Sequence, residues 1–141
     1  MCLRPTRRLI TRPRERDDWE VRHLPEERAR LTSAKARLDR LDLYDVPVSL
    51  AHVRAFVEPR LFRVPGFRRY HGYSFWRTIV VRDESASSDL LTHELCHVWQ
   101  AQRRPIAQLW SWARYSYRSN PFELEARAAV AATRSTDPRT G

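Results

Sequence analysis

The spacing of apolar residues along this chain predicts three helices, two strands and one segment that fits either a helix or a tightly packed connection. The helices are expected over residues 25–41, 89–103 and 121–135, the strands over 53–57 and 73–84, and the undecided segment over 106–118. The segment 73–84, YSFWRTIVVRDE, is the clearest strand, because bulky and β-branched residues run through both of its faces.

Residues typical of helix ends lie at the boundaries of the helices predicted over 89–103 and 121–135. Ser87 or Ser88 is a natural N-cap for the helix over 89–103, and Pro105 lies beyond the end of that helix. Asn120 is the expected N-cap of the last helix, with Pro121 at its first position.

The length of 141 residues, of which 42% are apolar, allows one domain with a single core. Residues 1–20 are interpreted as a flexible basic arm, 21–135 as the domain and 136–141 as a frayed tail. The sequence contains no run of eighteen apolar residues and no secretory h-region, so neither a membrane span nor a signal peptide is expected. Cys2 and Cys96 give no disulfide framework, which favours a cytoplasmic location.

Arginine carries almost all of the positive charge, since Lys35 is the only lysine and the formal net charge is +9. Guanidinium groups suit phosphate and carboxylate partners, so nucleic acid, an anionic membrane surface and an acidic polypeptide are all compatible with this composition. A solvated surface without such a partner explains the same charge and is preferred, and nucleic acid is not favoured. The charge assigns neither a partner nor an oligomeric state.

The segment HELCH, residues 93–97, places two histidines four positions apart. At about 100° per residue, His93 and His97 lie about 40° apart on one helical face, where two imidazoles can bind one metal ion. Glu94 lies about 100° from His93, too far to be a further ligand but within reach of a metal-bound water. The alternative is a pair of satisfied core histidines with Glu94 in an ion pair. The metal site is favoured, because the motif lies on a helix with clear capping residues that directly follows a strand.

A catalytic zinc site needs a third protein ligand, and few residues after His97 qualify. No histidine or cysteine follows, and the remaining acids are Glu123, Glu125 and, in the polar tail, Asp137. Glu123 and Glu125 point about 200° apart on the last helix, so only one of them can face the metal. Each also has an ordinary explanation, Glu123 as a carboxylate in the first helical turn and Glu125 as a surface charge near Arg127. The choice between them stays open.

Four further residues near the motif are expected to orient a ligand or to pack, rather than to bind the metal. Gln100 lies near the ligand face and is a candidate to orient one of the motif histidines. Cys96 is expected to be a small core residue rather than a ligand. Trp110 and Trp112 are expected to pack in the core or to line a cleft.

The segment HELCH at residues 93–97, followed by ELEA at 123–126, resembles the gluzincin metallopeptidases, and the small size is similar to that of the minigluzincins. The fuller strings HELCHVWQ at 93–100 and NPFELEA at 120–126 are similar to short bacterial zinc peptidases. The resemblance covers roughly residues 73–130. It implies an α+β, zincin-like fold with a small mixed or antiparallel sheet, an active-site helix that carries HExxH and a C-terminal helix that carries the third ligand. It further implies Zn²⁺ as cofactor and Glu123 as that ligand, with Ala126 small enough for close helix packing.

The resemblance also implies an edge strand over residues 75–82, along which a peptide or protein substrate lies as an added strand. Phe75, Arg77 and Ile79 are the candidate substrate contacts. SprT-like proteases carry similar motifs and bind DNA, but their third ligand is a downstream histidine, which this chain lacks. That departure counts against a DNA-binding protease of that kind.

Hydrolysis of an amide bond is the chemistry expected if zinc is bound. Zinc lowers the pKa of its bound water to about 7 and polarises the scissile carbonyl, and Glu94 passes the proton of the water to the leaving amine. Tyr115, Tyr117 and His71 are candidates to stabilise the oxyanion, although each also fits a packing or surface role. The leading hypothesis is a zinc peptidase. The alternatives are a catalytically weak zincin-fold module that binds nucleic acid or a protein partner through its arginines, and a helical structural domain without metal.

Overall fold

Four α-helices and a four-stranded sheet form residues 21–135, the part of the chain that the computed structural model describes. In chain order the elements are β1 (Arg22–His23), α1 (Glu27–Leu38), β2 (Arg54–Val57), a 3₁₀ turn (Leu61–Arg63), β3 (Gly72–Phe75), β4 (Thr78–Val81), α2 (Ser88–Arg103), α3 (Pro105–Arg114) and α4 (Pro121–Ser135). The arm predicted over residues 1–20 and the tail predicted over 136–141 lie outside the described residues.

The sheet has the strand order β1-β2-β4-β3 and mixed pairing. β1 runs antiparallel to β2, β2 parallel to β4, and β3 antiparallel to β4. Because β3 folds back on β4 as a hairpin, it lies outside the β2–β4 pair and forms one edge of the sheet. The prediction of an α+β protein with a small mixed sheet is confirmed.

The single strand predicted over residues 73–84 is wrong, because the chain reverses direction at Trp76 and Arg77. Phe75 pairs with Thr78 across this two-residue turn, and Trp76 has a positive φ of 58°. The turn contains no glycine, asparagine or proline, which are the residues that usually mark such a reversal. The apolar pattern therefore continues through the turn without a break.

This turn also corrects the predicted edge strand over residues 75–82. The edge strand is β3, and β4 lies inside the sheet between β2 and β3. Of the three candidate substrate contacts, only Phe75 belongs to the edge strand. Arg77 lies in the turn, and Ile79 is fully buried in β4.

The ends of α2 follow the capping signals of the sequence. Ser87 Oγ accepts a hydrogen bond from the amide of Leu90 at 3.0 Å, which confirms an N-cap at this position. Pro105 then opens α3, so the undecided segment is a helix over Pro105–Arg114 rather than an irregular connection. Among the described residues, no helix combines the length and the apolar character needed to cross a bilayer.

Helix α2 occupies the centre of the hydrophobic core. Its apolar face, Leu91, Leu95, Val98 and Trp99, is buried in one cluster with side chains of α1, β2, β4 and α4. Cys96 is fully buried in the same cluster, as predicted, and burial raises the pKa of its thiol to about 12. This packing leaves the polar face of α2, with the motif side chains, turned towards β3 and α4.

A polar cluster holds α1, α2 and α4 in place relative to one another. Arg37 of α1 donates hydrogen bonds to Ser88 at 2.9 Å, to Asp89 at 2.6 Å and to Thr133 at 2.7 Å. Arg134 of α4 donates to Asp89 at 2.7 Å. Asp89 lies in the first turn of α2, just before the motif, and Thr133 lies on α4, which carries Glu123. These bonds therefore hold the two helices of the motif region against α1.

Candidate metal centre

Helices α2 and α4 bring three metal-binding side chains together. α2 supplies His93 and His97, and α4 supplies Glu123. Asn120 Oδ1 accepts a hydrogen bond from the amide of Phe122 at 3.0 Å, which is the N-cap predicted for α4. The cap starts the helix so that Glu123 lies in its first turn, buried against α2.

The ligand atoms of the three residues lie close together, and each histidine lies nearest a different oxygen of Glu123. His93 Nε2 lies 3.1 Å from His97 Nε2, and His97 Nε2 lies 3.1 Å from Glu123 Oε2. His93 Nε2 lies 3.1 Å from Glu123 Oε1. Ligand atoms at roughly 2.0–2.1 Å from a tetrahedral metal ion stand about 3.3 Å apart, so the observed separations fit such an ion. The group could therefore hold a metal ion.

The charges around Glu123 keep it in the ionised form that a metal ligand needs. Burial acts to raise its pKa, but hydrogen bonds with His93 and His97 outweigh burial and hold the pKa well below the usual range. Burial acts to lower the pKa of His97, but the hydrogen bond with Glu123 and the charge of Glu94 raise it overall. Arg127 Nε also donates to Glu123 Oε1 at 3.2 Å.

Glu94 lies beside this group and is buried. Burial raises its pKa, while the charges of His97 and His93 and a hydrogen bond with Ser74 act against that rise. The close approach of β3 depends on Gly72, where an added Cβ would stand 3.1 Å from Glu94 Oε1. A carboxylate that burial makes more basic, next to a metal group, is suited to accept a proton.

Gln100 fixes the orientation of the His97 ring. Its amide nitrogen donates to Phe122 O and to Glu125 Oε2, both at 2.8 Å. Because both amide protons are used, the amide oxygen, 2.7 Å from His97 Nδ1, accepts the proton of that nitrogen. In the neutral imidazole that a metal ion requires, Nε2 would therefore be the nitrogen without a proton, and it faces the other two ligands. Gln100 thus has the orienting position expected from the sequence.

Glu125, the other candidate for the third ligand, lies outside the metal-binding group. Its Oε2 accepts hydrogen bonds from Gln100 Nε2 at 2.8 Å and from the Tyr44 hydroxyl at 2.7 Å. Burial and the bond to Glu125 raise the pKa of Tyr44, so this hydroxyl keeps its proton and donates it. The carboxylate of Glu125 therefore holds Gln100 in place, and it is not the plain surface charge that the sequence also allowed.

Only one of the three residues considered for the oxyanion lies at the group. Tyr117 lines the cleft together with Glu123, and burial raises the pKa of its phenol. Tyr115 is exposed and lies outside the lining of this cleft. His71 lines a different pocket, beside the loop before α2.

Three residues of β3 at the site were missed by the sequence analysis. Gly72 and Ser74 contact Glu94, and Tyr73 lines the cleft beside it. Burial raises the pKa of Tyr73, and the charge of Glu94 adds to the rise. Small residues at alternate positions of a strand face the same way, so Gly72 and Ser74 were the available signal.

The metal-binding group lies in a cleft between β3 and α3. The part around the group encloses about 350 Å³, and an adjoining part of about 660 Å³ shares Tyr73, Ser74, His97 and Trp112 with it. Trp112 therefore lines the cleft, as expected. The same expectation is wrong for Trp110, whose side chain is 69% exposed on the outer face of α3.

Comparisons of the chain with protein-family models, with curated proteins and with solved structures found no match. The resemblance to gluzincins and the zincin-like fold therefore stay predictions. The convergence of His93, His97 and Glu123 next to Glu94 is the observation on which a function can be built.

Proposed function

We propose that this protein is a zinc-dependent peptidase that hydrolyses amide bonds. One observation carries the proposal: His93, His97 and Glu123 converge within metal-binding distance, and the buried carboxylate of Glu94 lies beside them in an accessible cleft. A structural metal site would need no additional buried acid and no cleft. A pair of core histidines would need no carboxylate from a different helix.

The donor set supports zinc as the metal. Two neutral imidazoles and one carboxylate make one of the ligand sets of catalytic zinc sites, in which the fourth position stays open. Harder cations such as Mg²⁺ and Ca²⁺ prefer more oxygen ligands than this group offers. When bound, zinc would supply a Lewis acid and a water of lowered pKa.

Glu94 is the proposed general base. Its burial raises its pKa, so it accepts the proton of the attacking water more readily than an ordinary carboxylate, and it then delivers that proton to the leaving amine. Ser74 and the packing of Gly72 hold the carboxylate in one place. Tyr117 and Tyr73 supply phenol groups at the cleft for a developing negative charge.

The free edge of β3 supports an extended peptide as the substrate. The amide of Arg82 donates to His71 O, and hydrogen-bonded pairs alternate along an antiparallel ladder. Gly72 and Ser74 therefore turn their amide and carbonyl groups away from β4. A substrate backbone can pair with these groups, next to Glu94, in the manner of an added strand.

The test compares wild type with Glu94→Gln, and Glu84→Gln serves as a matched control at an exposed glutamate outside the cleft. We expect about one zinc ion per chain in all three proteins. In a peptide-library assay, Glu94→Gln should lower cleavage by about 10²–10⁴-fold, because a general base contributes that much. Glu84→Gln should cleave as wild type does.

Other outcomes separate the alternatives. Zinc without cleavage in wild type would contradict the peptidase and favour a catalytically weak binding module. A zinc content near zero after gentle purification, with no change in thermal stability when zinc is added, would favour a structural domain without metal. Cleavage that Glu94→Gln leaves intact would contradict the role of Glu94.

A further inference from the structure

Helix α3 turns an apolar face to the solvent. Ile106, Leu109 and Trp110 follow the i, i+3, i+4 spacing of one helical face, and Ile106 is 82% exposed. The opposite face carries the contacts with the protein, since Ser111 is buried and Gln108 Nε2 donates to His97 O at 2.9 Å. Contiguous apolar patches that are exposed to solvent commonly mark surfaces that bind a partner.

The tip of the β3–β4 hairpin extends this apolar face. Phe75 is 64% exposed, and Trp76 is exposed although its positive φ is one that a bulky residue rarely adopts. Both side chains line the wider part of the cleft together with Leu109 and Trp112 of α3. A positive φ is what the first position of a two-residue hairpin turn requires, so the tight turn holds the tryptophan side chain at the tip. We call Phe75, Trp76, Ile106, Leu109, Trp110 and Trp112 together the apolar surface.

Positive charge surrounds the apolar surface. Residues 59–82 and 95–122, the two segments that contain β3 and α3, hold ten arginines and not one aspartate or glutamate. Five of these arginines are exposed and flank the hairpin tip or α3: Arg77, Arg103, Arg104, Arg114 and Arg118. In the described part of the chain, the ion pairs with carboxylates involve other arginines. The five guanidinium groups are therefore available to an anionic partner.

We infer that the apolar surface and its arginines form a docking site for an anionic lipid membrane. Tryptophan and aliphatic side chains enter the boundary between headgroups and acyl chains, and arginines beside them contact the anionic headgroups. Bases of single-stranded nucleic acid would stack on the aromatic rings, but they would leave Ile106 and Leu109 in water. A second copy of the chain would bring two positive surfaces together, which costs free energy.

Docking in this way would place the wide part of the cleft against the membrane surface. The metal-binding group lies at the inner end of the same cleft, so a substrate would be taken from the membrane surface or from a segment close to it. The docking itself does not depend on the proposed peptidase activity. A binding assay can therefore support or refute it whether or not the protein cleaves peptides.

Sedimentation with vesicles tests the docking on the full chain. The probes are vesicles of phosphatidylcholine alone and vesicles in which about a third of the lipid is phosphatidylglycerol. We expect binding to the anionic vesicles, a blue shift of the tryptophan emission on binding, and a loss of binding as the salt concentration rises. Absence of binding to the anionic vesicles, or equal binding to both kinds, would overturn the inference.

Surface variants locate the site. The double variant Ile106→Ser, Trp110→Ser should weaken vesicle binding by about tenfold or more, because two side chains lose apolar burial. Arg114→Gln should weaken it about fivefold, as expected for one arginine at an anionic surface. Val46→Ser replaces a half-exposed apolar residue outside the apolar surface, in the segment whose backbone bonds to Trp99, and it should bind like wild type.

The outcome is decided by the comparison of these variants. Unchanged vesicle binding in the double variant, or an equal loss in Val46→Ser, would overturn the inference. Circular dichroism checks that each variant is folded, which is expected because the replaced side chains are exposed. Binding of a single-stranded DNA oligonucleotide that the double variant loses, without binding of vesicles, would assign the surface to nucleic acid instead.

Discussion

Replacement of Gln100 by alanine tests whether the proposed zinc site depends on the residues behind its ligands. The Gln100 side chain is fully buried, and it bonds to His97, to the backbone of Phe122 and to Glu125 at 2.7–2.8 Å. Without it, the His97 ring loses the acceptor that fixes its tautomer. Loss of such an orienting residue lowers metal affinity by about 10–100-fold, which corresponds to roughly 1.4–2.7 kcal/mol.

The same substitution lowers stability, and the two effects have to be separated. Phe122 O and the Glu125 carboxylate each lose a buried donor, at about 1–3 kcal/mol for each group. We therefore expect the free energy of unfolding of the metal-free protein to fall by roughly 2–6 kcal/mol. Zinc affinity is best measured by competition with a chromophoric chelator, at a temperature where circular dichroism shows the variant to be folded.

Two further variants make this test specific. Gln100→Glu keeps an oxygen acceptor for His97 but removes the donor to Glu125, so it should retain zinc affinity and lose stability. Gln102→Ala is the matched control, because Gln102 lies on the same helix and bonds only to the backbone of Ser49. Unchanged zinc affinity in Gln100→Ala, or an equal loss in Gln102→Ala, would refute the reasoning.

Two further predictions concern the strand beside Glu94 and the cluster at Asp89. Gly72→Ala should retain zinc but lower peptide cleavage by about 10²-fold, because the new Cβ displaces Glu94 from its position. If this variant cleaved peptides as fast as wild type, the close contact between Gly72 and Glu94 would have no role in catalysis. Burial opposes ionisation of Asp89, but the hydrogen bonds from Arg37 and Arg134 outweigh it and hold the pKa of that carboxyl below its usual value. The stabilisation is therefore present above about pH 4 and is lost as the pH falls through the lower pKa of the folded state. Thermal melts should show that Asp89→Asn loses stability at neutral pH and has a weaker dependence on pH in acid, whereas identical slopes would speak against this account.

The local features of the protein could be predicted from the sequence. Ser87 and Asn120 cap α2 and α4 as expected, because a cap involves an amide only two or three positions away. His93 and His97 share a face because helical periodicity alone places residues i and i+4 together. The hairpin turn at Trp76 was missed, because sequence patterns locate such turns by glycine or asparagine, which adopt a positive φ easily. Here a tryptophan has the positive φ instead.

The contacts between distant residues were decided only by the tertiary structure. The sequence reduced the third ligand to Glu123 or Glu125, since no other histidine, cysteine or acid lies between the motif and residue 135. The crossing of α2 and α4 turns Glu123 towards the histidines and Glu125 towards Gln100 and Tyr44. Helical spacing fixes the angle between these two acids. Which of them meets α2 depends on how α2 and α4 pack around the core, and this packing brings together His97 and Glu123, which are 26 positions apart in sequence.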